Sequence, residues 1–206
     1  MENNSIKKGR GRPSKFDPAA SLETAMRLFW AHGYEGTSMA DLTAAMGINK
    51  PSLYATFGSK ESLFEKALEK YVSGPIAFVA AALNEPTAYR VVEKLLLESA
   101  EFLTAANSPH SCMVNMGALS CSKESEQIKN MLISRRQAFE TALTARMQQA
   151  HDEGELEAGT NPATLAKYVA TVHQGMSIQA TSGASQESLL EVARTVLAHW
   201  PGKRAN

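Results

Sequence analysis

The chain has 206 residues, of which 44% are hydrophobic and 20% charged, so it can fill a core and suits a soluble globular protein. No uninterrupted apolar run reaches membrane-spanning length, and no apolar segment follows the basic N-terminus as it would in a secretory signal. We therefore expect a cytoplasmic location without membrane contact. The two cysteines, Cys112 and Cys121, are too few for a disulfide framework.

The formal net charge is zero, but the charges are unevenly distributed. Residues 1–16 contain five lysines and arginines against one acidic residue, and they include few apolar side chains. A basic arm on a neutral body is typical of DNA-binding proteins, although a solubilising tail would have the same composition. We interpret residues 1–14 as a flexible basic arm.

Residues 15–74 carry the signals of a small domain built from short helices. Asp17 and Pro18 favour a helix start, and Gly47 separates the second helix from the third. Two short helices joined by a tight glycine turn predict a helix-turn-helix at 37–56. Its apolar residues are expected to form the core of this domain: Leu42, Ala45, Ile48, Leu53 and Phe57.

Residues 75–206 also show helical periodicity, and we find no convincing strand or internal repeat. Helices are predicted from Pro86 to about Ala106, from about Glu124 to Glu153, at 161–182 and at 186–200, with a short segment near 113–121. The predicted fold class is therefore all-α with about nine helices. An N-terminal helix-turn-helix domain of three helices precedes a helical C-terminal domain.

Three stretches of the N-terminal domain form a signature: GYEGTSMADL at 33–42, AMGINKPSLY at 45–54 and FGSKESL at 57–63. This signature resembles the DNA-binding domain of the TetR/AcrR family of transcription regulators. The close resemblance covers residues 15–72. It implies a protein that binds double-stranded operator DNA, with the third helix in the major groove.

The resemblance also implies roles for individual residues. Contacts to base edges or the nearby backbone are implied for Lys50, Pro51, Ser52, Ala55 and Thr56. Phosphate contacts are implied for Tyr54, Lys60, Thr37 and Ser38, because hydroxyl groups, lysines and helix N-termini all donate to phosphate. The chain departs from the common family pattern at Pro51, which has no backbone N–H to offer.

The basic arm contains a second short resemblance. Residues 9–13 read Gly-Arg-Gly-Arg-Pro, similar to the core of an AT-hook. Arg10 and Arg12 would suit the narrow, negative minor groove of A·T-rich DNA, and the glycines would permit close approach. A merely solvated tail is the alternative.

In TetR-like proteins the remaining helices form a domain for effector binding and dimerisation. The final two helices of each subunit pair across the dimer, and residues 161–182 and 186–200 match them in position and length. The resemblance thus implies a homodimeric repressor on a palindromic operator, released by a small-molecule effector of unknown identity. An ordinary intramolecular core face is the alternative for these two helices.

Candidate effector contacts are apolar or singly charged residues on the helices that line such pockets: Phe78, Phe102, Met113, Met116, Met131, Arg135, Phe139 and His173. A simple core role is the alternative for the apolar ones. Arg135 interrupts the inner face of a long helix. It would orient an anionic ligand or extend to solvent.

Cys112 suggests a different form of control. It follows Pro109 in a stretch that resembles a Pro-x-Gly-Cys-Leu element of some TetR-like regulators, a few of which sense electrophiles or oxidants through that cysteine. A helix N-terminus would lower the pKa of the thiol and raise its reactivity. A buried, inert thiol is the alternative.

The sequence does not favour an enzyme. Its five histidines are scattered without the spacing of a zinc pair, and neither a glycine-rich phosphate loop nor a nucleophile elbow is present. We expect no catalytic residues, no metal site and no cofactor. A helical adaptor remains as a rival, but it would not need Lys50, Tyr54, Lys60 and the basic arm together.

Overall fold

The computed structural model describes residues 16–117 and 125–204. Over these residues it contains ten helices and no strand beyond one isolated antiparallel bridge between Leu156 and Gly202. The helices are α1 (Pro18–His32), α2 (Met39–Met46), α3 (Lys50–Phe57), α4 (Lys60–Ser73), α5 (Ala77–Ala82), α6 (Ala88–Thr104), α7 (Met113–Gly117), α8 (Glu126–Asp152), α9 (Pro162–Thr181) and α10 (Gln186–Ala198). The all-α prediction is confirmed.

Side-chain caps fix most helix starts where the sequence predicts them. Asp17 accepts the N–H of Ala19 at 2.9 Å, and Ser38 and Asp41 form a complete capping box at the start of α2. Gly47 ends α2 with φ of 66°, a left-handed conformation that glycine adopts without steric cost. The predicted start of α6 at Pro86 is displaced, because Thr87 caps that helix and it begins at Ala88.

The N-terminal domain packs α1 to α4 around one apolar centre. Leu42 of α2 and Leu53 of α3 are completely buried, and the Phe29 ring meets the Phe64 ring edge-on at 5.1 Å. The core prediction was wrong for Ala45, which is exposed on the outer face of α2. Burial of one side of α3 fixes which of its residues face outward.

In the C-terminal domain α6 packs against α5, α9 and α10 and also contacts α8. The half-buried helix α4 contacts α1 and α3 in the first domain and α5 and α7 in the second. Trp30 of α1 forms another connection, since its indole N–H donates to the carbonyl oxygen of Ser111 at 2.7 Å. None of the helices in the described ranges combines the length and apolarity needed to cross a membrane.

Candidate DNA-binding surface and effector pocket

The outward face of α3 carries the predicted DNA contacts. Lys50, Pro51 and Ala55 are exposed, and the Tyr54 side chain is 51% exposed although its ring is large and apolar. Ser52 and Thr56 are half-buried, and the Thr56 hydroxyl donates to the Ser52 carbonyl oxygen at 2.9 Å. One short helix thus presents a cation, a phenol and small side chains on a single face.

The first turn of α3 has few free backbone donors. Asn49 caps it by accepting the N–H of Ser52 at 2.9 Å, and Pro51 has no N–H. Any contact made by this end of the helix therefore depends on the side chains of Lys50 and Tyr54 more than on the backbone.

The two hydroxyl residues before α2 are placed differently from each other. Thr37 is only 1% exposed, and its hydroxyl donates to the Gly33 carbonyl oxygen at 2.8 Å. This hydroxyl holds the turn between α1 and α2 and does not face solvent, where the predicted phosphate contact would require it. Ser38 is exposed, but its hydroxyl already donates to Asp41 at 2.6 Å within the capping box.

Lys60 lies at the start of α4 against an aromatic ring. Its Nζ is 4.1 Å from the centre of the Tyr34 ring, and partial burial lowers the pKa of this amine. The Tyr34 hydroxyl donates to Glu61 at 2.6 Å, which also lowers the pKa of that carboxyl, after the larger effect of Ser59. A phosphate contact by Lys60 has to coexist with this ring contact or replace it. Arg10 and Arg12 lie outside the described residues.

A cavity of about 230 Å³ lies in the C-terminal domain, with walls from helices α4 to α9 and the turns beside them. Six of the predicted effector contacts line it: Phe78, Phe102, Cys112, Arg135, Phe139 and His173. Met113 and Met131 do not line it, because Met113 is buried beside Trp30 and Met131 packs against the core. The Met116 side chain is not among those described.

Most of the polar groups in the cavity wall are engaged within the protein. Asn115 donates to the Ser177 hydroxyl at 2.9 Å, and the Ser99 hydroxyl donates to the Leu95 carbonyl oxygen at 2.6 Å. Arg135 forms an ion pair with Glu69 of α4. The wall is otherwise mainly apolar, as expected for a pocket that binds a small organic molecule.

Cys112 is 8% exposed and stands just before α7. Burial raises the pKa of its thiol, and the backbone N–H groups of Asn115 and Val114 lower it by a smaller amount. The predicted helix N-terminus effect is therefore present, but burial outweighs it. At neutral pH the thiol is protonated.

Residues 22–67 match the family described as bacterial regulatory proteins of the tetR family. Over 198 residues the chain is 38% identical to the HTH-type transcriptional repressor ComR of Escherichia coli K12, covering 95% of this chain and 94% of ComR. This chain belongs to the TetR family. It is a DNA-binding transcriptional repressor rather than an enzyme.

Two further relatives extend this likeness. The HTH-type transcriptional repressor BdcR of Escherichia coli K12 is 31% identical over 89% of this TetR-family chain and 88% of its own. A cysteine mutant of the TetR-family regulator CifR, solved with a 26-base-pair double-strand operator DNA, is 39% identical. Its structure superposes with a TM-score of 0.86 and covers 93% of this chain and all of its own.

The structure adds residues to the site of this TetR-family protein that the sequence did not single out. Arg136 and Gln174 line the cavity beside the predicted Arg135 and His173. Arg136 directly follows Arg135, and neighbouring residues of a helix point about 100° apart. The sequence therefore did not indicate that both side chains reach one cavity. Trp30 and Ser111 are 81 positions apart, and no local pattern links them.

Proposed function

We propose that this protein is a homodimeric repressor that leaves a palindromic operator when a small molecule occupies the cavity of the C-terminal domain. The observation that carries the proposal is the position of α4. This helix directly follows the exposed helix α3, and its residue Val72 contributes to the cavity wall. One rigid element therefore connects the two sites.

On the operator, we place α3 in the major groove. Its exposed residues Lys50, Pro51 and Ala55 would approach base edges or the nearby backbone, with Ser52 and Thr56 beside them. The Tyr54 hydroxyl, Lys60 and Ser38 would contact phosphate, whereas Thr37 supports the fold. Arg10 and Arg12 of the arm would occupy the adjacent minor groove.

A stripe on α9 supports the homodimer. It consists of Thr164, Tyr168, Thr171, Gly175 and Ile178, whose spacing of four, three, four and three residues keeps them on one side of a helix. Tyr168 and Ile178 are 49% and 46% exposed, and they are two of the five exposed large apolar side chains among the described residues. A Cβ atom added to Gly175 would meet nothing within 4 Å. The neighbouring helix α10 exposes Val192 to the extent of 41%.

Control of DNA binding would follow from movement of α4. Arg135 of α8 holds Glu69 of α4, so a ligand that displaces either the wall or this ion pair changes the orientation of α4. Such a ligand favours release if it binds the DNA-incompetent arrangement more tightly than the competent one. Coupling of this kind is reciprocal, and operator DNA must weaken ligand binding by the same factor.

Fluorescence anisotropy with labelled DNA from the region upstream of the protein's own gene tests the proposal. We expect saturable binding, at a stoichiometry of two chains per palindrome, from which unrelated DNA displaces the labelled operator poorly. Absence of specific binding at low salt would contradict DNA-mediated repression. For the effector step, equal ligand affinity with and without operator would contradict the coupling.

A second candidate is a repressor that senses electrophiles or oxidants through Cys112. Two observations favour it: Cys112 lines the cavity, and the related CifR structures with operator DNA were obtained with cysteine mutants. The protonated resting state of the thiol opposes it, because the thiolate is the reactive form. Release of operator by an electrophile from the native protein but not from Cys112→Ser would establish this mode.

A further inference from the structure

The charged side chains in the cavity wall are two arginines, and no carboxylate among the described residues lines it. Arg135 is compensated, since its guanidinium pairs with Glu69 from outside the wall. Arg136 forms no salt bridge and no side-chain hydrogen bond within the described part of the chain. Among the described residues, Arg136 is therefore a positive charge of the cavity wall without a partner of opposite sign.

The charge of Arg136 acts inside the cavity. It is one of the influences that lower the pKa of the Cys112 thiol, although burial raises that pKa overall. Cys112 also lines the cavity and stands in the turn before α7. A cation in an apolar pocket is costly unless a counter-charge meets it.

His173 provides a neutral polar group at the same site. Its Nδ1 is buried and has no hydrogen-bond partner among the described residues. Burial lowers the pKa of His173 to about 4, so its imidazole is uncharged at neutral pH. The ring lies 5.4 Å from the Phe139 ring, which places an apolar surface next to this polar atom.

The rest of the cavity wall is suited to an apolar part of a ligand. Ser99, Asn115 and Ser177 already have hydrogen-bond partners in the protein. The remaining wall residues that face the cavity from α4, α5 and α6 are mainly aliphatic and aromatic, among them Val72, Val79 and Phe102. A complementary molecule therefore has one anionic end and an apolar body.

We propose that the effector is a small organic acid whose carboxylate binds Arg136 and accepts a hydrogen bond from the imidazole N–H of His173, while its apolar body fills the rest of the cavity. A carboxylate fits because the planar guanidinium fork of arginine matches its two oxygens. This inference rests on the proposed function, in which the cavity is the effector site.

Isothermal titration calorimetry with matched probes tests it. The probes are octanoate and 4-phenylbutanoate, each compared with the alcohol of the same carbon skeleton, and octylammonium serves as the cationic counterpart. We expect at least one acid to bind roughly tenfold to a hundredfold more tightly than its alcohol, the range of one charge-assisted hydrogen-bonded pair. The cation should bind most weakly.

Substitutions then locate the effect. Arg136→Met keeps the length of the side chain and removes its charge, and it should abolish the preference for acid over alcohol. Lys129→Met removes a charge from an exposed position on the same helix and should leave that preference intact. His173→Phe should lower acid affinity by a smaller factor than Arg136→Met.

Three outcomes would overturn the inference: neither acid binds, the alcohols or the amine bind as tightly as the acids, or Arg136→Met retains the preference. Operator binding by the native protein is measured in the same preparation. If operator binding is present while an overturning outcome occurs, the acid inference fails and the repressor proposal stands. If operator binding is absent, the proposed function itself fails.

Discussion

Trp30 and Ser111 are joined by two reciprocal hydrogen bonds. The indole N–H of Trp30 donates to the Ser111 carbonyl oxygen at 2.7 Å, and the Ser111 hydroxyl donates to the Trp30 carbonyl oxygen at 3.1 Å. This pair fixes the end of α1 to the segment before α7. Because Ser111 precedes the cavity residue Cys112, it is a connection between the two domains in addition to α4.

Trp30→Phe should therefore destabilise the protein. The substitution leaves the buried carbonyl oxygen of Ser111 without its donor, which costs about 1–3 kcal/mol in the free energy of unfolding. Urea denaturation measures the change, with Trp200→Phe, a substitution of the other buried tryptophan, as the matched control. Ser111→Ala removes the other bond of the pair and leaves the Trp30 carbonyl oxygen without its donor, so it should also lower the free energy of unfolding. If neither variant is less stable than the Trp200→Phe control, the reciprocal pair is contradicted.

Lys50→Ala should weaken operator binding and reduce its dependence on salt. Removing one phosphate-neutralising charge lowers the slope of log affinity against log salt concentration by about 1. Anisotropy titrations over a series of salt concentrations measure the slope. Lys129→Ala serves as the control, since this exposed lysine lies on α8. If the affinity falls at an unchanged slope, Lys50 contacts bases and not phosphate.

Thr37→Val tests whether this threonine serves the fold. Its buried hydroxyl bonds to Gly33, so its loss should reduce the free energy of unfolding by about 1 kcal/mol. At a temperature where the variant is fully folded, we expect operator affinity to be retained. A loss of affinity without a loss of stability would restore Thr37 as a phosphate contact.

Ile178→Glu should separate the proposed dimer. A carboxylate buried in the proposed helix seam is desolvated without a partner, whereas in a free chain the same position is already 46% exposed. Sedimentation velocity should show a folded monomer, and operator affinity should drop sharply. Ala163→Glu adds the same charge on another exposed face of α9 and should remain dimeric. An unchanged sedimentation coefficient for Ile178→Glu would place the interface elsewhere.

The reactivity of Cys112 should depend strongly on pH. Burial raises the pKa of the thiol, so the reactive thiolate is scarcer at neutral pH than in an exposed cysteine. In a Cys121→Ser background, the rate of iodoacetamide alkylation should rise about tenfold per pH unit, as expected below a thiol pKa. At pH values where the alkylation rate of the urea-unfolded protein has levelled off, the rate of the folded protein should still be rising. Reaction at neutral pH as fast as in the unfolded protein would favour the thiol-sensing mode.

Features that depend on neighbouring residues were predictable from the sequence. The caps Asp17, Ser38 and Asn49 act through bonds that span two or three residues, so the helix starts in the first domain could be located. The start of α6 was displaced because Pro86 and Thr87 both carry start signals, and only the structure shows which one caps the helix.

Features that depend on which way a side chain faces were not predictable. Cys112 and Met113 are adjacent, yet one lines the cavity and the other lies beside Trp30. Thr37 and Ser38 are also adjacent, and one is buried while the other is exposed. For Cys112 and Met113 the difference arises from packing between distant segments, and for Thr37 it arises from the turn that joins α1 to α2. Periodicity within a single helix encodes neither.

The stacking of Trp30 on Phe102 makes tryptophan fluorescence a probe of the cavity. The two rings are nearly parallel, with centroids 5.3 Å apart, and Phe102 lines the cavity. The chain contains one other tryptophan, Trp200, which packs against Tyr89. In a Trp200→Phe background the emission of a single indole would report on the cavity from the DNA-binding side. Occupancy could then be followed by intrinsic fluorescence, without a label on either protein or DNA.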